Sequence, residues 1–280
     1  MNANVRPSQI AGLWYEGDAK ALARAVDAYI DDAKLPALQG EVLGVVAPHA
    51  GHRYSGPVAG YAFAAVKNLQ PEIVAVLSPF HNYHSAPVLT TAHQAYGTPL
   101  GTVAVDRSTL DDLSAMLRSA LGFGLTAISN DPEHSLEIEL PFLQRALSPG
   151  WKLLPVMVRA HEPDVCEALG QCLARVLEGR NALLVASTDL SHYYEQQTAL
   201  NMDRAMLEPV EEFDPMRLFD VERSGRGYAC GLGALAAVMW AARARGANHV
   251  EVLRHATSGD VTGDYSAVVG YGAAAILKRP

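Results

Sequence analysis

Runs of mostly uninterrupted apolar residues alternate, from one end of the chain to the other, with stretches in which apolar positions recur every three or four residues. The runs EVLGVVA (41–47), EIVAVLS (72–78), WKLLPVMV (151–158), NALLVAS (181–187), VEVLRHA (250–256) and YSAVVGYGAAAIL (265–277) predict strands. Most of them lack polar alternation, as strands buried on both faces do. Helical spacing predicts helices near 57–67, 107–119, 134–147, 164–178, 197–217 and 228–245. An earlier helix is capped by Asp18, carries Leu22, Ala25, Val26, Tyr29 and Ile30 on one face, and is closed off by Pro36. The segment 85–105 reads instead as short antiparallel strands around a Gly-Thr-Pro turn. The alternation predicts an α/β fold: one domain over residues 1–280, with a central, largely parallel or mixed sheet flanked by helices.

Composition narrows what such a domain can do. The chain has 280 residues, 49% of them hydrophobic and 19% charged, which excludes disorder. A net charge of -8 argues against nucleic acid and anionic membrane surfaces as partners. The N-terminal stretch lacks the basic and apolar regions of a signal peptide, and no apolar run reaches the roughly 20 residues of a membrane span. A cytoplasmic location is expected. Cys166, Cys172 and Cys230 have no framework spacing, so reduced thiols are expected rather than disulfides.

The candidate chemistry gathers where strands end. The first strand runs into Pro48-His49, the second into SPFHNYH with His81 and His84, and the fourth into STDLSH with Asp189 and His192. In an open α/β sheet, ligands bind beyond the carboxyl ends of the strands, where loops converge on a rigid support. Three strands therefore deliver metal- or proton-competent side chains to one edge. His52 and His84 each follow one of these histidines by three residues, and they either face elsewhere or line the pocket.

Two further segments carry candidates. In RSGRGYACGLGALAAVMW, glycines precede an apolar helix, so Cys230 should lie near a helix N-terminus that favours a thiolate; it reads as a metal ligand or as a small core residue. A cysteine nucleophile served by His49, or by His192 with Asp189, is a further reading. In NDPEHSLEIELPFLQ, His134 and Glu137 are three apart at a predicted helix start and share a face toward a pocket, unless Glu133 and Glu137 are only favourable first-turn charges. The Gly-Asp loop TSGDVTGDYS follows a strand and could wall the same crevice. No dinucleotide fingerprint, phosphate-binding loop or nucleophile elbow is present.

The order of LWY, APHAGHRYSGPVAGYAF, LSPFHNYHS, DPEHSLEIELPFL, LLPVMV, ASTDLSHY and CGLGALAAVM resembles the Memo family, whose prokaryotic members are often called AmmeMemoRadiSam system protein B. The likeness spans nearly the whole chain. It implies a fold similar to class III extradiol dioxygenases and a pocket of two histidines and a cysteine, which fall on His49, His81 and Cys230. His192 then becomes an acid/base, Asp189 its orienting or substrate-binding partner, and His134 a secondary pocket donor. The function so implied is a metal-dependent oxidoreductase, with iron first, then copper, acting on a small molecule or peptide and leaving self-association open. A non-catalytic metal- or peptide-binding adaptor is the alternative, and a zinc-dependent hydrolase the third reading.

Overall fold

The computed structural model describes residues 4–129 and 131–280. In chain order its elements are β1 (Val5–Arg6), α1 (Ala19–Asp32), β2 (Glu41–Ala47), α2 (His52–Ala64), β3 (Ile73–Pro79), β4 (Val88–Thr91), β5 (Ala95–Thr98), β6 (Gly101–Ala104), α3 (Arg107–Leu121) and β7 (Thr126–Ile128). A single 3₁₀ turn, Glu137–Glu139, leads into α4 (Leu140–Ala146), β8 (Lys152–Val158), α5 (Pro163–Val176), β9 (Ala182–Ser187) and β10 (His192–Tyr194). The chain closes with α6 (Gln196–Glu211), α7 (Pro215–Arg223), α8 (Leu232–Ala244), β11 (His249–Thr257), α9 (Gly259–Thr262) and β12 (Val268–Lys278). Among the described residues, no helix is long and apolar enough to cross a membrane.

The described residues form a nine-stranded mixed sheet in the order β10-β12-β2-β9-β3-β8-β4-β7, with β11 also paired to β12. Its centre is parallel: β9 lies between β2 and β3, and β3 pairs with β8. β12 against β2 and β4 against β8 are antiparallel. The α/β class and the mixed sheet expected from the apolar runs are present. All seven residues of β3 are buried, because helices cover both faces. On one side α8 lies on β2, β3, β8 and β9 with α5 behind it; on the other, α2 packs on β2 and β12 with α1 and α4 behind. Every residue of α8 from Leu232 to Ala242 is buried, the condition of a helix that is apolar all round. β1, β5 and β6 make a separate three-stranded sheet, so only part of the 85–105 excursion leaves the main one.

Element boundaries depart from expectation where a side chain overrides periodicity. The helix predicted over 134–147 begins at Leu140, because Pro141 suits only a first turn and the Glu133 carboxylate holds the N–H groups of His134 and Ser135 instead. His134 and Glu137 therefore do not share a helical face. The helix predicted from 228 begins at Leu232, and Cys230 sits in the turn ahead of it, its N–H donated to the Asp189 carbonyl. The stretch 197–217 is two helices, broken at Phe213 in the left-handed region (φ 58) and restarted by Asp214 as cap. α2 starts at His52 rather than 57, with Pro57 inside it.

One buried ion pair joins the N-terminal strand to the chain around 131–137. The Arg6 guanidinium is 1% exposed. Its Nε and Nη2 donate to the Asp131 carboxylate, Nη1 donates to Glu137 Oε2 at 2.6 Å, and Nη2 also donates to the Glu133 carbonyl at 2.6 Å. Ser8, Tyr15 and the N–H groups of Gln9 and Ile10 complete the partners of Glu137. Removing one member of such a network strands the other charges out of water. Arg6→Ala should therefore lower unfolding free energy by about 3–5 kcal/mol at neutral pH, read from urea denaturation. A loss under about 1 kcal/mol would show that the two carboxylates do not depend on Arg6.

Candidate metal centre

β2, β9 and β3 are parallel neighbours, so the residues that follow them emerge side by side at one sheet edge. His49 follows β2, Asp189 follows β9 and His81 follows β3. The crossing of α8 then brings in Cys230, and the turn before α4 brings in His134. Gly231 makes the approach of Cys230 to β9 possible: a Cβ there would stand 2.4 Å from the Ser187 carbonyl oxygen.

Among the described residues, His49, His81 and His134 offer ligand atoms that all lie within 4.8 Å of one another. The His81 and His134 rings stack at 4.7 Å, and His49 stands edge-on to them at 5.3 and 5.5 Å. Cys230 Sγ lies 3.1 Å from His49 Nε2, and it also accepts the Asp189 N–H at 3.2 Å. Cys230 thus touches His49, whereas the three-member donor group among the described residues is His49, His81 and His134, so that His134 takes the third place that the sequence reading gave to Cys230. Trp14 covers the outer face of His134 at 4.2 Å.

Glu133, read from sequence as a helix-start charge, is instead the organising carboxylate. Oε2 accepts the His81 N–H at 2.6 Å; Oε1 lies 2.9 Å from His81 Nδ1 and 3.4 Å from His134 Nδ1, and accepts the N–H groups of His134 and Ser135. With Nδ1 of His81 turned to Glu133, its Nε2 is left to face the cluster. This is how a carboxylate fixes the orientation of a metal-ligating imidazole. Glu137, in contrast, faces Arg6, Ser8 and Tyr15 and is a structural anchor.

Burial and these contacts set the protonation states. Desolvation, with His134 and His81 nearby, holds His49 well below its ordinary value, and desolvation takes His134 down to about 4 against the pull of Glu133. Burial opposes protonation of His81, but the hydrogen bond and charge of Glu133 outweigh it and raise His81. Burial would push Glu133 up, yet the contacts with His81 and the Ser135 N–H keep it well below the carboxylate range. Burial raises Asp189 to about 7, although its carboxylate takes the N–H groups of His49, at 2.7 Å, and Ala50. The expected thiolate at Cys230 is corrected: desolvation and the Asp189 charge push the thiol up, outweighing the helix end two residues away. A thiol so held is no activated nucleophile.

The remaining candidates separate cleanly. His192 is partly buried, its Nδ1 donates to the Leu190 carbonyl at 2.8 Å, and burial lowers it below the usual histidine value. Asp189 holds the His49 turn, while the Leu190 carbonyl orients the His192 ring. His84 accepts the Ala86 N–H and stands against Phe80. His52 points into the core, between Tyr15 and Phe142, with Nε2 donating to the Ile138 carbonyl at 3.0 Å. Beside the cluster lies a cavity of about 580 Å³, walled by Trp14, Gly51, Tyr54, Tyr193 and Tyr271, with Ser258, Thr262 and Asp264 of the Gly-Asp loop on its far side. Trp14 was legible only within the LWY motif, Glu133 and Glu139 only as acids at a predicted helix start, and Ser187 only as the end of a predicted strand.

Comparison with known proteins agrees with the motif order. The family profile described as Memo-like protein matches residues 6–275. A MEMO1 family protein of Nitrosopumilus maritimus is 36% identical over 273 residues, covering 96% of this chain and 98% of that protein. Another from Methanopyrus kandleri is 34% identical, covering 98% and 99%, and one from Thermotoga maritima is 35% identical, covering 95% and 97%.

His52 generates a pH prediction. Folded, it is 4% exposed and its pKa is lowered to about 4 by burial, from an ordinary 6.5. Above pH 6.5 both folded and unfolded forms are neutral there, and the group takes nothing from stability. As pH falls from 6.5 toward 4, the unfolded chain accepts a proton that the fold refuses, so stability declines, by about 3 kcal/mol at most. His52→Gln keeps a donor for Ile138 without titrating. Its stability, followed by urea denaturation over that pH range, should decline less than wild type by roughly that amount, and parallel curves would refute the assignment.

Proposed function

This chain belongs to the Memo-like family, and we propose that it is a metal-dependent oxidoreductase of dioxygenase-like chemistry, with iron the first candidate metal and copper the second. The observation that carries the reading is the His49, His81 and His134 donor group, with Cys230 against His49 and with Trp14, which lies on His134, forming part of the wall of an adjoining cavity. The donors fit such an ion. Imidazole and thiol are borderline to soft ligands, which favour iron, copper and zinc over magnesium and calcium. The carboxylates in contact with the cluster are already engaged, Glu133 by four N–H groups and Asp189 by the His49 turn, which leaves nitrogen and sulfur as the donors.

His49, His81 and Cys230 would hold the ion, with His134 a further nitrogen donor. When bound, the metal would supply redox chemistry and Lewis acidity. The chain's own residues do the rest. Trp14, Tyr54, Tyr193 and Tyr271 present aromatic walls against which a small molecule or peptide side chain excludes water. His192, with Nδ1 fixed on Leu190 and a depressed pKa, is neutral near pH 7 and holds a free Nε2 to take a proton. Asp189 keeps the His49 turn rigid through its backbone N–H.

The three-imidazole cluster also favours a second reading, zinc-dependent hydrolysis, since three histidines are a known zinc set. Redox-silent metal together with ester or amide cleavage would identify it. For the leading reading, protein purified without oxygen should contain stoichiometric metal, and His49→Ala and Cys230→Ser should lose it; unchanged stoichiometry in both sinks the assignment. His192→Gln should retain metal while metal-dependent oxygen consumption falls by about 10²–10⁴-fold. Peptide capture with no oxygen consumption by wild type would point to a binding module instead.

A further inference from the structure

We infer that Ser187 and Glu139 are the positioning pair for His49, a hydroxyl-bridged carboxyl that keeps the imidazole hydrogen on Nδ1 and turns the Nε2 lone pair into the histidine–cysteine cluster. His81 and His134 share Glu133 directly, whereas His49 meets no carboxylate through its ring. What it meets is the hydroxyl that ends β9. Ser187 Oγ lies 2.9 Å from His49 Nδ1, 2.7 Å from the Ser135 carbonyl oxygen and 2.7 Å from Glu139 Oε1, and both Ser187 and Glu139 have no exposed surface.

Hydrogen counting fixes the direction. A hydroxyl has one hydrogen to give and two lone pairs to fill. The Ser135 carbonyl can only accept, and His49 cannot take that hydrogen as well. His49 Nδ1 is therefore the donor of its 2.9 Å contact, and Nε2, 3.1 Å from Cys230 Sγ, is the bare nitrogen. Glu139 fills the second lone pair of Ser187 if it carries a hydrogen. Burial pushes that carboxyl well above its ordinary value, and its other oxygen, Oε2, is buried without a partner, the condition of a neutral acid rather than of an anion. A hydroxyl with all three positions satisfied cannot rotate, and neither can the ring that leans on it.

This rests on the metal-site reading for its purpose but not for its first test. In metal-free, ¹⁵N-histidine-labelled wild type near neutral pH, the His49 ring should show hydrogen on Nδ1; hydrogen on Nε2 would overturn the inference, whether or not the protein binds metal. The second test reads zinc affinity by competition with a chromophoric chelator. Ser187→Ala and Glu139→Leu should weaken binding by about 10–100-fold, the usual effect of losing a ligand's hydrogen-bond partner. Glu139→Gln, which keeps a neutral donor of the same shape, should stay within about threefold of wild type, a rescue that a purely packing role for Glu139 shared by all variants would not produce. Wild-type affinity in Ser187→Ala would sink the pair's role. Should a variant fail to fold by circular dichroism, the wild-type tautomer still decides; should wild type bind neither zinc nor iron(II) nor copper, the metal reading fails while the tautomer result stands.

Discussion

A guanidinium sealed from water must be surrounded by acceptors, and that constraint on Arg6 organises the site. Desolvation opposes its charge, but Asp131 and Glu137 more than offset it and keep the group protonated. Its partners lie about 125 residues further along, on a stretch with almost no regular structure of its own. Because Arg6 takes the carboxylates of Asp131 and Glu137 and the carbonyls of Asp131 and Glu133, the chain between them has one conformation available. That conformation sets Glu133 under His81 and His134 beside it. A loop that carries chemistry is made rigid by a charge that cannot be left alone.

The same economy divides the acids around the pocket. Glu137 answers Arg6, Glu133 answers two imidazoles and three backbone N–H groups, Asp189 answers the turn after β2, and Glu139 stands behind Ser187. Each carboxyl acts on a ligand or on the chain that bears it. The unengaged donors of the cluster are thereby imidazole nitrogens and the Cys230 thiol. A pair of histidines with a pocket-facing carboxylate is the usual set of non-haem iron oxygenases, and the site differs from that set because its acids are spent on orientation.

How far the sequence foretold this depends on the range of the interaction. β2, β3, β8 and β9 were legible as apolar runs because burial on both faces is written residue by residue. With them came the sheet edge and the placement of His49, His81 and Asp189. His134 was legible as chemistry but misplaced onto a helix, since the periodicity of 134–147 carries no sign that Glu133 would take the first N–H groups. Cys230 was expected as a thiolate from its closeness to α8, a local argument that loses to burial and to the charge of Asp189, 41 residues away in sequence. Arg6 drew no reading from the sequence, and Ser187 was only the last residue of the predicted strand 181–187. Their partners lie 125 and 48 residues away, beyond anything a local pattern encodes.

Packing three imidazoles with ligand atoms inside 4.8 Å raises an electrostatic problem that the fold solves in two ways. Three imidazolium ions so close would repel by several kcal/mol in a poorly screened site. Burial removes the proton from His49 and His134, and the one histidine whose protonation is favoured, His81, is a third exposed and lies directly against Glu133. Burial thus leaves His49 and His134 neutral, and the proton favoured on His81 is offset by the Glu133 carboxylate it lies against. The network that holds the ligands also sets the charge they present, so orientation and affinity are not separable properties of this site.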